Sequence, residues 1–408
     1  MTQFDLDFVR AQFPAFADPS LQGWAFFENA GGSYPCRQTI GRLMEFYTRT
    51  KVQPYAPYPA SEAAGAAMDE ARVRVAALLN VTPEEVHFGP STSQNTYVLA
   101  NAFRRMLSAG DEIVVTDQDH EANSGVWRRL ADEGMVVREW KVDPSTGHLD
   151  PAALDALLSE KTRVVAFPHV SNIVGEINPV AEICAKIRAA GAVSVVDGVS
   201  AAPHGLPDVA ELGADIYMFS AYKTWGLHQG VMTVKRDLVE RLPNQGHYFN
   251  AGYVTKRLTP AGPDHAQIAA MSGVADYTDA LHDAHFAASD DAAERGRRVH
   301  GLMRAQEAAL AAPLLDWLKG RNDIRLLGPS DPETRAPTVA MAHARPGEEL
   351  ARDLATHGIM AGGGDFYAVR LIEAMGVDPA HGVLRVSFLH YTSPAEIEQL
   401  MTALDKVL

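Results

Sequence analysis

From about residue 70 to 240 the chain alternates short apolar runs with amphipathic stretches of helical period. Residues 112–116, 163–168, 193–197, 215–219 and 231–235 are rich in Val, Ile and Phe and bounded by Gly, Pro or Asp, which predicts buried strands. Residues 151–158 and 179–190, lying between them, predict helices. Strand, helix, strand at this spacing predicts a mainly parallel sheet with helices on both faces. Ligands of such a sheet sit beyond the carboxyl ends of its strands.

After about residue 255 the pattern changes. A long Ala-rich helical stretch, 276–312, precedes a smaller region with strands near 338–342 and 384–388. Residues 1 to about 20 predict a short amphipathic helix packed on this second unit. The expected fold is α/β: a large domain over 21–258, and a smaller α+β domain made of 1–20 and 259–408 with a long connecting helix. No internal repeat or low-complexity tract interrupts this plan.

Composition narrows the function classes. The 408 residues are 47% hydrophobic and 21% charged, a balance that allows a sizeable core. A formal net charge of −15, spread along the chain, argues against broad affinity for nucleic acid. No apolar run reaches the ~18 residues of a membrane span, and the acidic N-terminus lacks the basic n-region of a secretory signal. The two cysteines, Cys36 and Cys184, give no disulfide framework, so a cytoplasmic protein is expected.

The chemistry is concentrated in Val195-Val196-Asp197-Gly198-Val199-Ser200 and Met218-Phe219-Ser220-Ala221-Tyr222-Lys223. An aspartate closes one predicted strand and a lysine follows the next, so both side chains emerge at one edge of the sheet. A pyridoxal-phosphate (PLP) enzyme needs this pair: the amine forms an imine with the cofactor, and the carboxylate keeps the pyridine nitrogen protonated. Read singly, Asp197 is more simply a helix cap and Lys223 a surface lysine; their combined context favours the pair. Phe88-Gly89-Pro90-Ser91-Thr92-Ser93 follows a strand and opens a helix, whose amides and hydroxyls suit a phosphate. Capping by Ser91 is compatible with that role.

These segments resemble the class V aminotransferase family of fold-type I PLP enzymes, in particular its cysteine desulfurase and selenocysteine lyase branch. The likeness runs from about residue 24 to 395. It implies that Lys223 carries the cofactor as a Schiff base and that Asp197 and His120 act on its ring, His120 by stacking. Thr92, Ser93, Ser220 and Tyr222 would hold the phosphate, while Asn172 and Ser200 would lie near the phenolic oxygen. Asn29, in Phe27-Glu28-Asn29-Ala30-Gly31-Gly32, and Arg385, in an otherwise apolar strand, would take the carboxylate of a small amino-acid substrate. The loop around Gly262 resembles one that reaches a neighbour's phosphate, which implies a homodimer with shared sites. No metal is called for.

The pattern departs from the family in three places. Tyr367 stands about where desulfurases carry the loop cysteine that accepts sulfur, and a phenol of pKa ~10 does not replace a thiolate. Ser200 stands where glutamine is frequent, and Tyr222 where histidine is. The expected activity is therefore a desulfurase-like lyase without a persulfide cysteine, with transamination and racemisation as alternatives. Tyr55, Tyr58, Tyr367 and Arg370 border the expected substrate side. A non-catalytic PLP-binding regulator is the rival of another class. A nucleotide-binding α/β protein is a weaker one, since no Gly-rich phosphate-loop motif follows a strand.

Overall fold

The computed structural model describes residues 4–408. Its main sheet has seven strands: β1 (Val86–Gly89), β2 (Glu112–Thr116), β3 (Val136–Trp140), β4 (Thr162–Pro168), β5 (Val193–Asp197), β6 (Ile216–Ser220) and β7 (Gly230–Val234). Their spatial order is β1-β7-β6-β5-β4-β2-β3, with β7 antiparallel to both neighbours and the other pairings parallel. Strands β2, β6 and β7 are buried at every position, which is why they read as continuous apolar runs rather than alternating ones. Each reversal places the carboxyl ends of β1, β2, β4, β5 and β6 on one edge, together with the start of β7.

Expectation and structure differ at identifiable places. The helix expected over 151–158 is only a 3₁₀ turn, Ala153–Ala156. Asp150 caps the amide of Ala152, and its carbonyl takes the Trp140 indole N–H at 3.0 Å, so the segment is tied down before a second turn can form. The stretch 276–312 is two helices, Ser272–His285 and Ala292–Lys319. Phe286 is extended, and Asp291 starts the second helix by accepting from the amides of Ala293 and Glu294. Strand β3 was not expected. It is an edge strand with mostly exposed or half-exposed side chains, so its apolar signal is weak.

A second, four-stranded antiparallel sheet has the order β10-β11-β9-β8, made of β8 (Arg325–Leu327), β9 (Thr338–Ala342), β10 (Gly362–Gly364) and β11 (Val383–Ser387). Its core includes Leu314, Val339, Leu350, Val386 and Leu400, and also Ala25 and Phe27 from the N-terminal part. Ala25–Phe26 pairs in parallel with Ile359–Met360, which explains that contribution. The first helix, Leu6–Arg10, is shorter than expected, and residues 1–3 of that stretch lie outside the described residues. Arg10 pairs with Glu396 at 2.8 Å, which fixes the helix to the C-terminal helix Pro394–Val407. No helix among the described residues is long and apolar enough to cross a membrane.

Candidate active site

The carboxyl edge of the main sheet opens into a cavity of about 290 Å³, close to the lower end of the small-ligand range. Its lining includes Thr92, Ser93, His120, Asn172, Asp197, Ser200, Ser220, Tyr222 and Lys223. Nine of the residues singled out from sequence thus meet in one place, although they come from five separate segments of the chain.

Local structure explains how each arrives. Ser91, the N-cap of helix Thr92–Arg104, accepts from the Gln94 amide at 3.2 Å, which starts the helix at the cavity wall. Thr92 Oγ1 lies 2.8 Å from Ser220 Oγ, so this helix start and the end of β6 form one polar wall. Gly230 permits that approach: a Cβ there would fall 2.6 Å from the Thr92 nitrogen and 2.3 Å from the Ser91 carbonyl carbon. His120 caps helix Glu121–Arg128 through Nδ1, which accepts from the Ala122 amide at 3.0 Å. Its ring then faces the cavity with the Tyr367 ring 5.4 Å away.

Burial governs the electrostatics. Burial pushes the Asp197 carboxyl up to about 6, against the Val199 amide that donates to it at 2.8 Å and the Lys223 charge, which both lower it. Burial and the Arg385 charge pull the Lys223 ammonium down to about 8, with Asp197 and Glu28 opposing. Burial, Lys223 and Arg385 pull His120 down to about 4, so its ring is neutral at pH 7. Asp119 also lines the cavity; burial and the neighbouring Asp197 charge hold its carboxyl well above the usual range.

The substrate side is built differently from expectation. Asn29 borders a crevice beside Lys223 and Ser200. Its amide is committed to the protein, with Nδ2 donating to the Ser387 carbonyl at 3.1 Å and Oδ1 accepting from the Tyr391 hydroxyl. Arg385 is buried, donating from Nη1 to the Asn172 carbonyl at 3.1 Å and from Nη2 to Glu28 at 2.8 Å. Phe366 stacks on its guanidinium with 3.7 Å to the ring centroid. Phe366 and Tyr367 both have left-handed backbones, φ 50° and 59°, a strained geometry for bulky residues. Three hydrogen bonds hold them: Asn172 Nδ2 to the Phe366 carbonyl at 3.0 Å, the Glu121 amide to the Tyr367 carbonyl at 2.8 Å, and the Tyr367 amide to Asp365 Oδ1 at 2.8 Å.

Gly262 lies apart, in a different cavity with Tyr55, Arg72, Phe249 and His265. Sequence reasoning missed Glu28, Asp119, His228 and Phe366. His228 stacks on Tyr222 at 4.9 Å and lines the main cavity. Glu28 and Asp119 stood next to residues already singled out, so adjacency was the available signal.

Residues 25–294 match the model of the family described as Aminotransferase class-V. The aminotransferase-like protein FGM3 of Gibberella zeae is 31% identical over 100% of this chain and 99% of its own. A cysteine desulfurase of Pectobacterium carotovorum is 29% identical over 99% of this chain and 98% of its own. The solved cysteine desulfurase of Thermococcus onnurineus has the same fold, with a TM-score of 0.85 at 22% identity over 100% of this chain and 99% of that one.

Proposed function

This chain belongs to the aminotransferase class-V family, and we propose that it is a PLP-dependent lyase of a small amino acid, cleaving a C–S bond or eliminating at the β-carbon without a thiol relay. The observation that carries the reading is the meeting of Lys223 and Asp197 in one cavity with the polar wall of Thr92, Ser93 and Ser220. The cavity fits the cofactor. Asp197 is a buried carboxylate that lacks a full cationic partner, which a protonated pyridine nitrogen would supply. Thr92 and Ser220 place two hydroxyls side by side at a helix start on the cavity wall, a donor set that suits a phosphate.

When bound, PLP supplies an electron sink for charge developing at the substrate α-carbon. Asp197 holds a proton at the ring nitrogen. Thr92, Ser93, Ser220 and Tyr222 would hold the phosphate, and the neutral His120 ring would pack against the cofactor ring. Asn172 and Ser200 would lie near the phenolic oxygen. Lys223 would anchor the cofactor, and its Nζ would serve as the base that moves the substrate α-proton. Arg385 receives the substrate carboxylate, with Asn29 shaping the crevice beside it.

The loop 361–370 contains no cysteine, and both cysteines of the chain are buried. Burial raises the thiol of Cys36 and pushes that of Cys184 up to about 11, which supports chemistry without a persulfide. The reading includes a homodimer whose partner brings the loop around Gly262. The exposed aromatics Tyr248, Phe249 and Tyr253, of which Phe249 lines a cavity with Gly262, support it.

The test is a product assay with cysteine, aspartate and alanine. A lyase releases its products repeatedly with no keto acid added. Turnover only in the presence of a keto acid acceptor would replace this reading by transamination. For Lys223→Ala, borohydride reduction followed by peptide mass spectrometry should find no cofactor-sized adduct, whereas the native protein carries it on Lys223. An adduct retained elsewhere in the variant refutes the anchor.

A further inference from the structure

We propose that Glu28 is a specificity-determining residue: its carboxylate occupies the edge of Arg385 that the substrate carboxylate takes, so substrate binds by exchanging with it. The proposal rests on the reading of Arg385 as the substrate-carboxylate clamp.

Arg385 is aimed without help from Glu28. It sits mid-strand in β11, where it pairs with Ala340 and Gly362, donates from Nη1 to the Asn172 carbonyl, and lies under the Phe366 ring. Glu28 takes Nη2 at 2.8 Å, while Nε has no partner among the described residues. Either two-point edge of a guanidinium includes Nη2, the nitrogen that Glu28 holds. A second carboxylate on that nitrogen would set two anions against one buried cation, which low dielectric makes costly. Exchange removes the conflict.

The seat of Glu28 is shaped for a carboxylate. A Cβ at Gly31 would lie 2.8 Å from Oε1, and one at Gly362 would lie 2.5 Å from Oε2. Oε2 is buried and has no hydrogen-bond donor among the described residues, so the Arg385 contact is what holds the group there. The Arg385 side chain is 3% exposed and that of Glu28 27%, so the Glu28 side chain, unlike the arginine, reaches solvent along part of its length.

The experiment is calorimetric titration of the holoenzyme with propionate, a carboxylate that lacks an amine and cannot react. Glu28→Gln should bind propionate roughly ten- to a hundredfold tighter than the native protein. Gly31→Ala keeps the charge but pushes it off its seat, so it should shift affinity in the same direction. It also keeps the proposal testable if Glu28→Gln does not fold. Ethylamine, which has no carboxylate, should bind all three proteins alike; an equal gain with ethylamine would mean a general opening of the site and overturn the proposal. Unchanged or weaker propionate binding in both variants also overturns it. Arg385→Gln separates the underlying reading: loss of propionate binding supports the clamp whatever Glu28 does, and native-like binding removes the clamp and the proposal together.

Discussion

Gly230 illustrates how one missing side chain organises the site. The start of β7 and the Ser91–Thr92 backbone approach each other at a distance that a methyl group would occupy. The obstacle for Gly230→Ala is backbone, which cannot swing aside as a side-chain end can. The variant should lose stability by ~2 kcal/mol and retain less cofactor after dialysis, read from absorbance per mole of protein. Full retention would mean that the polar wall tolerates displacement and is not the phosphate cradle. At this scale the sequence was informative for residue types and poor for their commitments. Asn29 was legible as a site residue, but its amide is taken by the Ser387 carbonyl and the Tyr391 hydroxyl, partners more than 350 positions away. Arg385 was legible because a charge inside an apolar strand is unusual, whereas its partner Glu28 had only its adjacency to Asn29 as a signal, and that does not reveal the pairing with an arginine 357 positions away.

Elements were read best where burial made the pattern continuous. Strands β2 and β5 match the expected 112–116 and 193–197, and β6 and β7 are each displaced by one residue. The reading failed where helical composition hid a boundary. The stretch 276–312 has helix-forming residues throughout, and only the Ser289–Asp291 turn before Ala292 signals the break. There Asp291 accepts from the amides of Ala293 and Glu294 at 2.9 and 3.1 Å. Asp291→Ala should therefore lower stability by ~1 kcal/mol, seen as a lower urea midpoint with an unchanged slope. An unchanged midpoint would show that packing on either side, and not the cap, sets the helix start. Edge strand β3 escaped notice for the opposite reason, because its exposed side chains carry little apolar signal.

Across the whole molecule, burial keeps several histidines neutral. His87 and His169 are pulled down to about 3, and His120 and His390 to about 4. An unfolded histidine takes up its proton near ~6.5, while these folded ones do so only near 3 to 4. Below that upper pH the unfolded chain binds more protons, so stability is present at neutral pH and is lost as pH falls through this window. Each such group contributes at most ~1.4 kcal/mol per pH unit. His87, whose two ring nitrogens lack side-chain hydrogen-bond partners among the described residues, gives the cleanest check. His87→Phe should flatten the fall in urea midpoint from about pH 6.5 to about pH 5. A slope identical to that of the native protein would assign the acid sensitivity elsewhere.

By itself the sequence determined which residues could carry PLP chemistry and which strands lie in the centre of a sheet. Both are local properties: a strand buried on two faces must be apolar throughout, and an Asp or Lys closing such a strand must emerge at its edge. Only the tertiary structure decided what those groups contact. The pairing of Glu28 with Arg385, the commitment of Asn29 and the stacking of Phe366 join residues from distant parts of the chain. Burial and charge at such contacts depend on the surrounding packing, which no local pattern of side chains encodes.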